Sequence, residues 1–289
     1  MSIKPGKNRV PIVFAPLAII AAVALQDVGG AVAKTTFGTV GADGMIALRL
    51  SIAALILFAL QRPWRTPIAP RHWPGLLVYG VVLGGISILL YRAFALLPIG
   101  IVVGIQAIGP LAVVLLTSRK AADVPWFLLA TTGIWLLVPQ GSTMATLDPL
   151  GLAYAGASAA SWALYILCGK LAARSSGIQS VSWGMAIGAI ITMPFGLVAG
   201  GAALLKPSVL AAGLVVAILS SVVPNTLEMA AMRHLPHRVL GILLSAAPAF
   251  AALAGFLVLG ERLLPLQWFA IILLMAASAG SALTAARQA

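Results

Sequence analysis

"LLPIGIVVGIQAIGP", Leu96 to Pro110, carries two prolines twelve residues apart in an apolar segment without a formal charge. Later the chain reads "HLPHRVLGILLSAAP", His234 to Pro248. A shift of 138 residues lays Leu97 and Pro98 on Leu235 and Pro236, and Pro110 on Pro248. Both prolines therefore recur with their spacing intact. The same offset lays Asp123 on Glu261, and an offset of 136 lays Lys34 on Lys170. Identities inside the overlap are few: in the 22 residues from Tyr91 they are Ala93, Leu97, Pro98 and Pro110. What the two halves share is a set of landmarks, and the segments between the landmarks define the unit that repeats.

Those segments are apolar. Of the 289 residues 61% are hydrophobic and 8% charged, where a soluble domain carries about 25% charged residues. A helix of about twenty apolar residues crosses a hydrocarbon core of about 30 Å. Ten such runs fill the chain, near 11 to 33, 43 to 61, 73 to 96, 99 to 117, 125 to 141, 149 to 169, 178 to 200, 208 to 230, 238 to 259 and 264 to 285. The expected fold is an all-α membrane protein of ten transmembrane helices, with five in residues 1–145 and five in residues 146–289. Five is odd, so a second copy of the unit enters the membrane with opposite orientation. Two inverted five-helix repeats place a binding site near the midplane between the halves and let the halves rock about it, which is alternating access.

The charges agree with this reading. A net charge of +12 would suit a nucleic-acid partner only on a soluble fold with a basic face, and here the cations lie between the spans. With the N-terminus inside, thirteen of the eighteen fall on the cytoplasmic side: Lys4, Lys7, Arg9, Arg62, Arg65, Arg71, Arg119, Lys120, Lys170, Arg174, Arg233, Arg238 and Arg287. Lys34, Lys206 and Arg262 fall outside, while Arg49 and Arg92 lie within spans. The positive-inside rule then puts both termini in the cytoplasm. Cys168 is the sole cysteine, so the chain has no internal disulfide framework and no multi-cysteine metal site. Three cations precede the first apolar run without a small-residue cleavage site after it, which reads as a retained first helix and not as a signal peptide.

Ionisable groups at membrane depth cost about 2.5–3.5 kcal/mol each on insertion scales and tend to face partners or a cavity. Asp27 in span one and Arg49 in span two share a depth at about 1.5 Å per residue. They could form a structural ion pair, or Arg49 could receive an anionic group of a substrate. Arg92 lies near the outer end of span three. Glu228, near the inner end of span eight, could snorkel beside Arg233, hold an ammonium group, or carry a proton; Asp27 is a second candidate for proton coupling. Gln106 and Asn225 offer both donors and acceptors to a ligand, and Ser245 on span nine offers a hydroxyl. Tyr91, Trp162 and Tyr165 could stack on a ligand or simply pack. Pro110 and Pro248 are expected inside spans four and nine, where each would remove a backbone hydrogen bond and act as a hinge. Glycines four apart (Gly80 and Gly84, Gly100 and Gly104, Gly184 and Gly188, Gly196 and Gly200) allow helices to approach closely.

Several stretches together resemble the drug/metabolite transporter superfamily, specifically its EamA-type family, over essentially the whole chain. They are "ALRLSIAALIL" with Arg49, "GPLAVVLLTSRK" closing span four, "SAASWALYILCGK" in span six, and "PNTLEMAAMRHLPHR" leading into "LLSAAPAFAALAGFLVLGERL". The resemblance implies ten spans as two inverted five-span repeats. Through "GIVVGIQAIGPLAVVLLTSRK" and "ILSSVVPNTLEMAAMRHLPHR" the chain is most similar to family members that export small polar amino acids such as threonine and homoserine. That implies proton-driven antiport of such amino acids or related metabolites across a bacterial inner membrane. In those members acids stand where this chain has Gln106 and Ala247, which leaves Glu228 as the acid of the expected site.

The competing reading in the same class is efflux of drugs or lipophilic cations, whose site would pair a deep acid with aromatics and exclude a nearby Arg. An intramembrane enzyme fits poorly: His72, His234 and His237 all fall at span ends, and neither HExxH nor GxSxG occurs. A structural or channel subunit would not need matched prolines. The Walker pattern is absent too, so the chain itself is not expected to hydrolyse ATP. The expected partners are a small-molecule substrate and the lipid bilayer, with no cofactor, no metal and no nucleic acid, and the protein is expected as a monomer or homodimer.

Overall fold

Proline marks where most of the helices begin. A computed structural model of the protein describes residues 15–65, 68–109, 112–113, 124–137, 147–176, 179–232 and 243–287, and no strand occurs among them. The helices are α1 (Ala15–Thr35), α2 (Phe37–Gln61), α3 (Trp73–Leu96), α4 (Ile99–Gln106), α5 (Val124–Leu137), α6 (Pro149–Ser176), α7 (Gln179–Gly200), α8 (Pro207–Ala217), α9 (Val223–Met232), α10 (Ala247–Leu259) and α11 (Pro265–Arg287). In α3, α5, α6, α8, α10 and α11 a proline is the first or second residue. There the missing N–H has no intrahelical partner to lose, and the fixed φ already suits a helix.

Among the described residues, five helical runs are long and apolar enough to cross a membrane: Ala15–Thr35, Phe37–Gln61, Pro70–Leu96, Ser180–Leu205 and Pro207–Glu228. Val124–Leu136, Ala247–Leu259 and Pro265–Ser281 are shorter apolar helices. The outer surface suits lipid, not water: Val198 is 90% exposed and Leu257 76%, and apolar side chains laid bare over whole helix faces mark a surface that something apolar covers. This is a multi-pass membrane protein.

Some element ends differ from the expected spans. Thr36 alone separates α1 from α2, which starts at Phe37 and not near 43. The extra turn is possible because Gly41 takes φ 70°, ψ 168° and kinks the helix, a conformation that costs little without a Cβ. α8 and α9 form one run joined by a π-helical turn, Ile218–Val222.

Helix α2 packs along α7, α3 along α6 and α7, and α1 along α9 and α10. α2 also meets α8, α4 meets α6 and α10, and α5 lies against α11. Glycines set the closest of these contacts. A Cβ on Gly84 would stand 3.2 Å from the Gly188 Cα, and one on Gly100 would stand 2.8 Å from the Ala252 Cα, so a larger residue at Gly100 would push α4 off α10.

Spans four and nine are both interrupted. α4 stops at Gln106 with Ala107 in a turn, and Ser245–Ala246 form a turn just before α10. Ala107 and Ser245 stand 138 residues apart. Pro110 lies outside the described residues. Pro248 corrects the expectation of a mid-helix kink. It is buried in the first turn of α10, where the Ala249 and Phe250 N–H groups bond the Ala246 carbonyl at 3.0 and 3.2 Å. The break precedes the proline, so Pro248 starts a helix and removes no bond from one.

Candidate functional site

Arg49 is the central residue of α2 and anchors a polar network in an apolar bundle. Its Nε donates to Ser221 Oγ and its Nη1 to Tyr91 Oη, each at 3.0 Å. The guanidinium carbon is 5.2 Å from the centroid of the Tyr91 ring. Tyr91 is fully buried on α3 between Phe37 and Phe94, whose ring centroids are 5.7 and 5.9 Å away. Arg49 Nη2 makes no hydrogen bond among the described residues.

Ser221 is in place because the backbone around it departs from an α-helix. Pro224 brings no N–H to the ladder, the preceding turn widens to a π-helix, and nearby side chains take up carbonyls: Asn225 Nδ2 donates to Ser221 O and Thr226 Oγ1 to Val222 O, both at 2.6 Å. Insertions of this kind bend helices and concentrate at functional sites. The neighbouring Ser220 donates to the Gln26 carbonyl of α1 at 3.2 Å. Two adjacent serines therefore tie the turn to α1 and to α2.

Asp27 does not pair with Arg49, contrary to one sequence expectation. It is 7% exposed, and its Oδ2 is buried without a hydrogen-bond partner. Equal depth fixes the height of two side chains but not the direction in which they point, and two hydroxyls hold the Arg49 donors.

A second cluster runs along one face of α6. Ser158, Trp162 and Tyr165 stand four and three residues apart, so they share a face. Gln106, at the broken end of α4, donates through Nε2 to Ser158 Oγ at 2.9 Å, with both residues buried. Trp162 is half-buried one turn further on. The hydroxyls of Tyr165 and Tyr79 on α3 are 2.8 Å apart, with ring centroids at 5.1 Å. Half-buried Glu228 of α9 lies within electrostatic reach of Tyr165 and has no ion-pair partner among the described residues. Arg233, its expected neighbour, lies outside them. Ser245 is half-buried in the turn before α10.

Two ion pairs form elsewhere among the described residues. Lys34 Nζ, at the end of α1, lies 2.6 Å from Glu261 Oε1 and donates to the Leu97 carbonyl at 2.7 Å, while the Ile99 N–H donates to Glu261 Oε2 at 2.9 Å. Arg92 meets Asp43 through three contacts of 2.8–3.2 Å.

The structure thus joins Arg49 to Tyr91 directly and to Asn225 through Ser221, and seats Gln106 on Ser158. Sequence reading missed Ser221, Ser158 and Tyr79. The "SSVVPN" stretch held the signal for the first of these, two hydroxyls just ahead of a proline in an apolar span.

Residues 149–283 match the model of the EamA-like transporter family. The chain is 42% identical over 285 residues to a protein of Escherichia coli strain K12, threonine/homoserine exporter RhtA, and the match covers 98% of this chain and 97% of that protein. RhtA of Salmonella typhimurium strain LT2 matches to the same extent. The chain belongs to the EamA-like transporter family. A solved structure described only as "Crystal structure of protein" aligns with this EamA-like transporter at a TM-score of 0.64, covering 96% of this chain and 99% of its own, at 21% identity. That likeness concerns the fold alone. Within the EamA-like fold, the Arg49 network lies where three long helices, α2, α3 and α8–α9, meet at their polar positions.

Proposed function

We propose that this transporter exports small polar amino acids of the threonine and homoserine kind across a bacterial inner membrane, by alternating access of two inverted halves and at the expense of the proton gradient. The observation that carries the reading is the state of Arg49: a guanidinium at the centre of a spanning helix, held by two neutral hydroxyls and, among the described residues, by no carboxylate. A charge left uncompensated at this depth suits an anionic group that comes and goes. A planar fork with a free edge suits a carboxylate in particular, because it can donate two parallel hydrogen bonds. Tyr91 and Ser221 orient that fork. Gln106, Asn225, Trp162, Tyr165 and Ser245 are the groups proposed for the rest of the substrate, and Glu228 is proposed to carry the proton. The names of the relatives support the choice of amino acid.

Much of the packing among the described residues supports two halves, 1–145 and 146–289, related by a two-fold axis. Exchanging α1 with α6, α2 with α7, α3 with α8–α9, α4 with α10 and α5 with α11 turns the α3 contact with α6 into the α1 contact with α9. It also turns the α3–α7 contact into α2–α8 and the α4–α6 contact into α1–α10, and leaves α2–α7, α4–α10 and α5–α11 unchanged. The helix breaks at Ala107 and Ser245 obey the same exchange. With both termini in the cytoplasm, as the charge distribution favours, the Lys34 end faces outward.

Cells loaded with labelled threonine, homoserine and other amino acids provide the test, compared with and without the protein. Faster efflux of small polar amino acids is the expected result. Efflux of lipophilic cations with no amino-acid efflux would overturn the reading and favour a drug exporter.

A further inference from the structure

We infer that Asp27 receives the α-ammonium group of the substrate opposite Arg49, so that the site is a dipolar clamp which selects a zwitterion. The inference rests on the amino-acid reading above and names the second half of the same site.

Two independent sets of contacts bring Asp27 to the level of Arg49. The first is a register between α1 and α3. Lys34 bonds the Leu97 carbonyl just past the end of α3, and one turn lower Gly30 faces the Phe94 ring, where a Cβ would stand 3.4 Å from Cε2. Both helices run the same way, so another turn lower puts Asp27 level with Tyr91, which holds Arg49. The second is the π turn. Ser220 bonds the carbonyl of Gln26, the residue before Asp27, while Ser221 bonds Arg49. Asp27 and Arg49 are therefore neighbours of the same turn, yet they form no ion pair within 4 Å, whereas Lys34 with Glu261 and Arg92 with Asp43 do.

A buried carboxylate oxygen without a hydrogen-bond partner is costly, and a cation that binds beside it removes that cost. An α-amino acid carries its two charges on one carbon, so its carboxylate on the free edge of Arg49 turns its ammonium to a group at the same level. Glu228 lies seven residues beyond Ser221, about 10 Å further along the helix, too far to share one α-carbon with Arg49.

The experiment is equilibrium exchange of labelled threonine in liposomes holding the purified transporter, at equal pH on both sides, with threonine and 2,3-dihydroxybutanoate, its analogue with a hydroxyl in place of the amine, as competitors. The wild-type protein is expected to prefer threonine at least tenfold. In Asp27→Asn the half-saturating threonine concentration should rise at least tenfold and the preference should collapse toward unity. Unchanged half-saturation and preference would overturn the inference. So would exchange that survives while only pH-driven transport is lost, because that outcome assigns Asp27 a proton instead. A wild-type protein that exchanges no amino acid would sink the export reading, a result distinct from either. Should the Asn variant fail to fold, Asp27→Cys in a Cys168→Ser background supplies a second measurement. Protection of the new thiol from maleimide by threonine is expected, and equal labelling with and without threonine would overturn the inference.

Discussion

At the Lys34 end of the bundle four charged side chains form two pairs of opposite sign; at the centre Arg49 and Asp27 form none among the described residues. Lys34 and Glu261 join the end of α1 to the α3–α4 and α10–α11 joints, and Arg92 grips Asp43 with two prongs. One turn or two deeper, Arg49 makes do with a tyrosine and a serine, and Asp27 has nothing on Oδ2. Opposite charges at one depth would have paired if stability were all that shaped the site. The paired charges fix how the helices sit, and the unpaired ones leave room for a ligand that brings its own charges.

The comparison breaks most visibly at Arg49. Arg49→Lys keeps the charge but loses the fork held by Ser221 and Tyr91, and a hydrogen bond to a charged group is worth about 1.5–3 kcal/mol. Threonine exchange should fall at least tenfold with normal folded yield, and full exchange would show that any cation suffices there. Next comes Glu228→Gln, on the other carboxylate within a span that has no ion pair among the described residues. Accumulation driven by a pH gradient in vesicles should be lost while exchange at equal pH persists; unchanged pH dependence would remove Glu228 from coupling. Lys34→Met tests the paired end. It should lower thermal stability in detergent by about 1–3 kcal/mol and let a membrane-impermeant thiol reagent reach a cysteine placed at Phe94 in a Cys168→Ser background; unchanged stability and labelling would show that the pair holds nothing shut. Tyr91→Phe should have the smallest effect. The ring still faces the guanidinium and Ser221 still holds Nε, so the loss of one hydrogen bond to a charged group, about 1.5 kcal/mol at the low end, should raise the half-saturating concentration by about tenfold at most, and a loss exceeding that of Arg49→Lys would make Tyr91 a direct ligand.

The helices were legible because the bilayer imposes a length on every apolar run, and both ends of α3 and α7 and the start of α6 fall close to the expected spans, while α6 runs two turns past its expected end. The proline landmarks also pointed to interrupted spans, but not to where each helix restarts. Pro248 reads as a kink in sequence, yet the turn at Ser245–Ala246 takes the break and leaves the proline a starting position. In the site, Arg49, Tyr91, Gln106 and Asn225 stood out as polar residues in apolar runs. Ser221 did not, since its value comes from a π turn that aims its hydroxyl at another helix. The Asp27 and Arg49 pairing failed for a related reason: sequence gives depth along a helix, while direction around it is set by packing.

Thr36 has a consequence for how the protein is made. With one residue between α1 and α2, of 21 and 25 residues, no loop exists that could wait on the far side while the second helix is synthesised. So short a link favours delivery of both as a hairpin, which would carry Asp27 and Arg49 into the bilayer in a single event, within a segment of no net charge, where either ion alone would resist.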